Sequence, residues 1–152
     1  MPERDAAERA EQDKREGKSP STQAGEFVRQ EIDHIREGKH GARSTKQAIA
    51  IGLSEARRAG VDLAPPKKGA ASTRTRNQAK RELESAKAGG AKKKPSRRRS
   101  LATTKALKRE SGSAASRTAL SKHARTPARK RTAAQRSASA KKAARTRAKN
   151  RP

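Results

Sequence analysis

The sequence predicts a small all-α protein, a helical hairpin followed by a long, intrinsically disordered, basic C-terminal tail. Charge and apolar residues divide the chain at the same point. Residues 1–63 hold 12 basic and 12 acidic side chains, whereas residues 64–152 hold 29 basic and 3 acidic ones. Nine large apolar residues lie between Phe27 and Leu63, and only four leucines follow. Burial at about 25 cal/mol per Å² does not offset an ordering cost of about 1.5 kcal/mol per residue with so few side chains.

Three segments follow from this division. Residues 1–21 are expected to be a charged, fraying helix and linker, because i,i+4 ion pairs support a helix that no large apolar residue anchors. Residues 22–63 are expected to form the hairpin, and residues 64–152 the disordered tail. Within the tail, "TRNQAKRELESAKAG" is compatible with a helix, and "SLATTKALKRE" and "ASRTALSKHAR" with short helices once their charge is neutralised.

Periodicity and capping signals define the two hairpin helices. Apolar residues at helical spacing predict a first amphipathic helix from Ala24 to about Glu37. "GKHGARS" then interrupts the pattern, and Ser44 with Gln47 is a capping-box signature for a second helix that Gly60 ends. The expected hairpin core consists of Phe27, Val28, Ile32, Ile35, Ile49 and Leu53.

The stretch "AIAIGL" is ambiguous, because its alternation also fits a short strand. Its alanines and the flanking caps favour a helix. In that helix Ile51 points about 160° away from the line of Ile49 and Leu53. Either another segment of the chain covers Ile51, or Ile51 packs against a second copy, which makes it the candidate residue for self-association.

The formal net charge of +26 predicts an acidic partner. Lysine and arginine recur along the tail at distances that suit a phosphate backbone, and phosphate contacts carry no sequence information. The expected phosphate contacts are Lys67, Lys68, Lys92, Lys93, Lys94, Arg97, Arg98, Arg99, Lys108, Arg109, Arg129, Lys130, Arg131, Lys141, Lys142, Arg145 and Arg147.

The single aromatic residue, Phe27, is expected in the core, so base stacking is disfavoured and duplex DNA is preferred over single strands. The hairpin also admits a helix-turn-helix interpretation, in which Thr45, Lys46 and Gln47 would meet base edges. The apolar character of that helix and the zero net charge of residues 1–63 oppose it.

No catalytic, cofactor or metal site is expected from the sequence. His34, His40 and His123 have no cysteines or paired acids at ligand spacing. The chain has no cysteine, no apolar run long enough for a membrane span and no apolar signal-peptide core. We therefore expect a non-enzymatic protein in the cytoplasm, associated with the nucleoid.

Residues 25–63, and above all "KQAIAIGLSEA" at 46–56, resemble a family of small, lysine-rich bacterial proteins of unassigned function, with Gly52 in place of an alanine. The basic half is similar in composition to the tails of histone-like and linker-histone-like proteins. These resemblances imply DNA binding.

The sequence as a whole predicts a histone-like protein that binds duplex DNA without sequence preference and uses its hairpin for self-association or a protein partner. Two other functions remain open: an RNA- or ribosome-associated basic protein, and a stress-protective, largely unfolded protein. In a further variant, the hairpin recognises a protein and the tail only recruits it to nucleic acid.

Overall fold

The computed structural model describes residues 2–89 and 96–149, and the regular elements within them are seven α-helices and one 3₁₀ turn. In chain order these are α1 Pro2–Arg15, α2 Pro20–Arg36, α3 Thr45–Arg58, α4 Thr73–Lys87, α5 Arg97–Lys108, the 3₁₀ turn Gly112–Ala115, α6 Arg117–Lys130 and α7 Ala133–Lys149. The chain divides into two compact units, Met1–Ser116 and Arg117–Pro152.

The prediction of a long disordered tail after residue 63 is wrong. Helices α4, α5, α6 and α7 occupy most of the described part of that segment. The two stretches that were expected to form short helices only after charge neutralisation overlap α5 and α6. The protein is therefore all-helical rather than a hairpin with an unfolded extension.

Local helix signals explain why the basic segment, residues 64–152, is helical where the structure describes it. Alanine, leucine, lysine, arginine and glutamine are all strong helix formers, and exposed cations repel each other only within about 10 Å in salt. Ser72 accepts a hydrogen bond from the Thr75 backbone N–H at 3.1 Å and so caps α4. Thr132 and Gln135 exchange two such bonds, 3.1 and 3.2 Å, in a capping box that begins α7.

Alanine supplies much of the core, and the count of large apolar residues missed this contribution. The buried alanines of the first unit lie in four helices, one loop and the 3₁₀ turn, and they are Ala6, Ala10, Ala24, Ala42, Ala48, Ala56, Ala79, Ala114 and Ala115. Small side chains bring helices close together, so backbone and neighbouring side chains make the contacts that larger groups would otherwise make.

The α2–α3 hairpin forms as expected, and the helix interpretation of "AIAIGL" is confirmed. The two helices touch at Gly52, where an added Cβ would lie 2.7 Å from Cα of Val28. Gly60 has a φ of 100°, and the Val61 N–H donates to the Ala56 carbonyl oxygen at 3.0 Å. These bonds complete the predicted glycine C-cap of α3.

The expected hairpin core is partly buried in the structure. Phe27, Ile32 and Ile35 are buried, whereas Val28, Ile49 and Leu53 are half-buried, as is Ile51. Phe27 shares one cluster with Ala6 and Ala10, so α1 completes the core although it carries no large apolar side chain.

The segment from Leu107 to Ala115 docks on the loop between α2 and α3. The N–H of Gly41 donates to Leu107 O at 2.9 Å, and the N–H of Ala42 donates to Ser111 O at 3.2 Å. The buried hydroxyl of Thr45 donates to Ala114 O at 2.7 Å. Sequence periodicity does not report this contact, because it joins backbone groups about 70 residues apart.

Candidate nucleic-acid interface

Most of the expected phosphate-contact residues lie within or beside helices rather than on an extended chain. Lys67 and Lys68 are in the α3–α4 connection, Arg97–Arg99 are in the first turn of α5, and Lys108 and Arg109 are at its end. Arg129–Arg131 lie at the end of α6, and the last four lie along α7. Lys92, Lys93 and Lys94 lie outside the described residues. All the others are exposed.

The expected phosphate contacts make no ion pair with another described residue. Within residues 2–89 and 96–149, the basic members of the ion pairs are Arg9, Lys18, Arg36, Lys39, His40, Arg43, Lys80 and Lys87. None of the expected phosphate contacts is among them. The last acidic residue of the sequence is Glu110, so 13 cations from residue 117 onward face no acid in their own unit.

One face of α6 presents four of these cations in a row. The residues that line this face are Arg117, Thr118, Ser121, Lys122, Arg125, Thr126 and Arg129. We call its four basic members, Arg117, Lys122, Arg125 and Arg129, the α6 stripe. Arg117 and Arg129 are 12 residue steps apart, so the stripe is about 18 Å long.

Only Arg129 of the α6 stripe was among the expected contacts. The sequence does hold a signal for part of the stripe, because Arg117, Ser121, Arg125 and Arg129 are four residues apart and so share one helix face. Lys122 does not follow this spacing. Pro127 lies inside α6, although proline normally interrupts a helix.

The start of α3, which a helix-turn-helix protein would insert into DNA, is engaged within the protein. The Thr45 side chain is buried against the 3₁₀ turn, and the Gln47 side chain accepts a hydrogen bond from the Arg43 N–H at 2.8 Å. Lys46 is exposed. Two of the three side chains that would read bases thus have partners inside the fold.

A cluster of polar side chains lies at the end of α2, where no site was expected from the sequence. Glu31 is 2% exposed, and its Oε2 lies 3.5 Å from Nε2 of His40. Burial raises the pKa of Glu31 to about 7, His40 opposes this rise, and Glu55 adds to it. The rings of His34 and His40 meet edge to face with centroids 6.3 Å apart.

The raised pKa of Glu31 predicts a pH-dependent stability in buffer containing a chelator. Below pH 4.5 the carboxyl is protonated in both states, and between pH 4.5 and 7 only the unfolded chain ionises. Stability that Glu31 contributes at low pH is therefore lost as the pH rises through 7. Glu31→Gln should be more stable than the wild type by about 1–2 kcal/mol at pH 8, and the difference should shrink towards pH 4.5.

Urea unfolding at pH 4.5, 6 and 8 measures this effect. Glu8→Gln, on the exposed surface of α1, is the matched control and should show no such trend. A difference between Glu31→Gln and wild type that stays constant across these pH values contradicts the prediction.

Residues 13–68 match a family of unknown function (DUF6496). The matched segment contains the hairpin and the residues whose pattern resembled an uncharacterised family, and it ends before α4. No curated protein and no solved structure matches the chain significantly. In the part of the chain that the structure describes, no helix is both long and apolar enough to cross a membrane.

Proposed function

We propose that the protein binds duplex DNA through its phosphates, without reading the base sequence, using the exposed cations of α5, α6 and α7. The observation that carries this proposal is the set of exposed lysines and arginines that have no acidic partner among the described residues. A protein surface of this kind attracts polyanions and releases their condensed counterions.

The geometry of the α6 stripe fits a regular polyanion. The four cations of the stripe follow one another at steps of three to five residues, about 4.5–7.5 Å along the helix axis, which is on the order of the spacing of phosphates along DNA. The hydroxyls of Thr118, Ser121 and Thr126 lie on the same face. These hydroxyls add neutral donors of the kind that bind phosphate oxygens.

Duplex DNA suits the composition better than single strands do. Proteins that bind single strands stack bases on aromatic side chains. The sequence has no tryptophan or tyrosine, and Phe27 is its single phenylalanine. Phe27 is 7% exposed in the core. The cationic helices thus supply charge without a stacking platform.

The hairpin unit has a separate role in this proposal. Residues 1–63 hold equal numbers of basic and acidic side chains, so this part of the chain adds little net charge to phosphate binding. Half-buried Ile51 remains the candidate contact for a second copy or a protein partner, and a dimer would bridge two DNA segments in the manner of a histone-like, nucleoid-associated protein. The stress-protective alternative required a largely unfolded chain, and we do not propose it for this helical protein.

A salt titration of the full chain on a 25-base-pair duplex tests the proposal. With about ten phosphate contacts, log K should fall against log salt with a slope near −9. A second duplex of equal composition and scrambled sequence should bind equally well, and a single strand of the same length more weakly.

A different salt slope, or a preference for one nucleic acid, would lead to a different conclusion. A shallow slope, or a strong preference for one duplex, contradicts phosphate-only binding. If a structured RNA outcompetes the duplex at matched salt, the mode of contact stands but the partner is RNA, as in the ribosome-associated alternative.

A further inference from the structure

We propose that Glu31, His34 and His40 form a binding site for a divalent transition-metal ion, with Zn²⁺ the best match to the donors. One ligand atom from each residue lies within 4.8 Å of the other two. Two imidazoles and one carboxylate are a donor set that holds zinc in proteins and leaves a fourth position for water. This inference is independent of DNA binding.

The distances suit a tetrahedral ion. With ligand bonds of about 2.0–2.2 Å, two ligand atoms of a tetrahedral site lie about 3.3–3.6 Å apart. His40 Nε2 and Glu31 Oε2 are already 3.5 Å apart. The remaining separations need side-chain shifts on the order of 1 Å, which rotation of a histidine ring or a carboxylate provides.

The tautomer of His40 directs a lone pair into this cluster. Its Nδ1 lies 3.2 Å from the carbonyl oxygen of Gly41, and because a carbonyl only accepts, Nδ1 carries the proton. In the neutral ring, Nε2 then presents its lone pair towards the Glu31 carboxylate. Metal-binding histidines are commonly oriented by a hydrogen bond of this kind from the other ring nitrogen.

Glu31 supplies the second, independent indication of a cation. Its Oε1 is buried and accepts no hydrogen bond from any described residue. A carboxylate in this state lacks the donors that normally stabilise a buried anion. A cation between Glu31 and His40 would satisfy both the carboxylate and the imidazole lone pair.

The fold builds the cluster from two short-range features. Glu31 and His34 are three residues apart and so share one face of α2. The helix ends with Gly38 at a φ of 74°, and the Lys39 N–H donates to His34 O at 3.0 Å. This tight reversal returns His40 to the last turn of α2. His40 also lines a cleft of about 630 Å³ with Lys108 and Gly112, which gives an ion a route to the site.

Calorimetric titration of the full chain with Zn²⁺, without nucleic acid, is the first test. We expect one ion per chain and a loss of affinity on the order of 100-fold or more in His40→Gln and Glu31→Gln, since removing even an outer-shell partner costs 10–100-fold. His123→Gln is the matched control, because it removes the one histidine outside the cluster, and it should bind like the wild type.

Co²⁺ supplies a readout that a purely structural defect would not produce. Tetrahedral Co²⁺ gives an intense visible absorption, which should appear with wild type and His123→Gln and be lost with His40→Gln. Circular dichroism checks that each variant is folded. Glu31→Gln serves if His40→Gln fails to fold, because it removes a buried charge rather than a packing group.

Two results overturn the proposal. One is an equal loss of affinity in His123→Gln and His40→Gln, which would mean dispersed surface binding. The other is no saturable Zn²⁺ binding by folded wild type at micromolar concentration.

Discussion

Replacing all four cations of the α6 stripe with glutamine is expected to weaken duplex DNA binding by the full chain about 10³-fold at about 0.1 M salt. Each phosphate contact contributes about 0.9 to the slope of log K against log salt, so losing four contacts reduces the slope by about 3.6. The two proteins should converge near 1 M salt. Glutamine retains the helix propensity of arginine and lysine, so α6 should persist.

The matched control also removes four positive charges, but from lysines that already have acidic partners. Lys18, Lys39, Lys80 and Lys87 form ion pairs with Asp13 and Glu16, Glu37, Glu84 and Asp62. Their replacement by glutamine should reduce DNA affinity far less, and such exposed pairs contribute only about 0–1 kcal/mol each to stability. If both variants lose affinity equally, total charge decides binding and the face of α6 does not.

The boundaries of α3 were predictable because their causes are local, whereas α2 begins at Pro20, four residues before the expected Ala24. Ser44 caps α3 through the Gln47 N–H at 3.2 Å, and Gly60 ends the helix as its lack of a Cβ allows. The same kind of cap occurs at Ser72 and Thr132, at the starts of α4 and α7, but it was not used in the sequence analysis. Net charge and the small number of large apolar residues produced the mistaken expectation of disorder.

Tertiary docking was not predictable from the pattern of large apolar residues. Ala79, Ala114 and Ala115 are buried, yet alanine occurs throughout the basic segment and most of its alanines are exposed. Which alanine is buried depends on backbone contacts such as that of Ala42 with Ser111. Sequence patterning contains no direct signal for such pairs.

The two candidate sites also differ in how far the sequence could predict them. The excess of cations in the basic segment is evident from composition alone, although only Arg129 of the α6 stripe was among the residues expected to contact phosphate. The cluster of Glu31, His34 and His40 depends on the reversal at Gly38, which brings a loop residue back to a helix. Without that turn, the only indication of a site is the i,i+3 spacing of Glu31 and His34, and this spacing is a weak signal.

Gly41→Ala is expected to destabilise the first unit by about 3 kcal/mol, by forcing the segment from Leu107 to Ala115 away from the α2–α3 loop. A Cβ on residue 41 would lie 2.8 Å from Ser111 O and closer still to the carbonyl group of Glu110. Both neighbours are backbone, so no side-chain rotation relieves the clash. The hydrogen bonds of the loop to Leu107 and Ser111 would be lost with the docking.

Urea unfolding measures the loss of stability, and hydrogen exchange of the Ala42 amide reports the docking itself. Gly25→Ala is the control, because an added Cβ there meets nothing within 4 Å and alanine favours α2 by up to about 1 kcal/mol. A Gly41→Ala protein that keeps its stability within about 0.5 kcal/mol and still protects the Ala42 amide would show that the loop and the 3₁₀ turn do not pack as described. Loss of protection with α2 and α3 intact would confirm that this contact holds the segment from Leu107 to Ala115 against the α2–α3 loop.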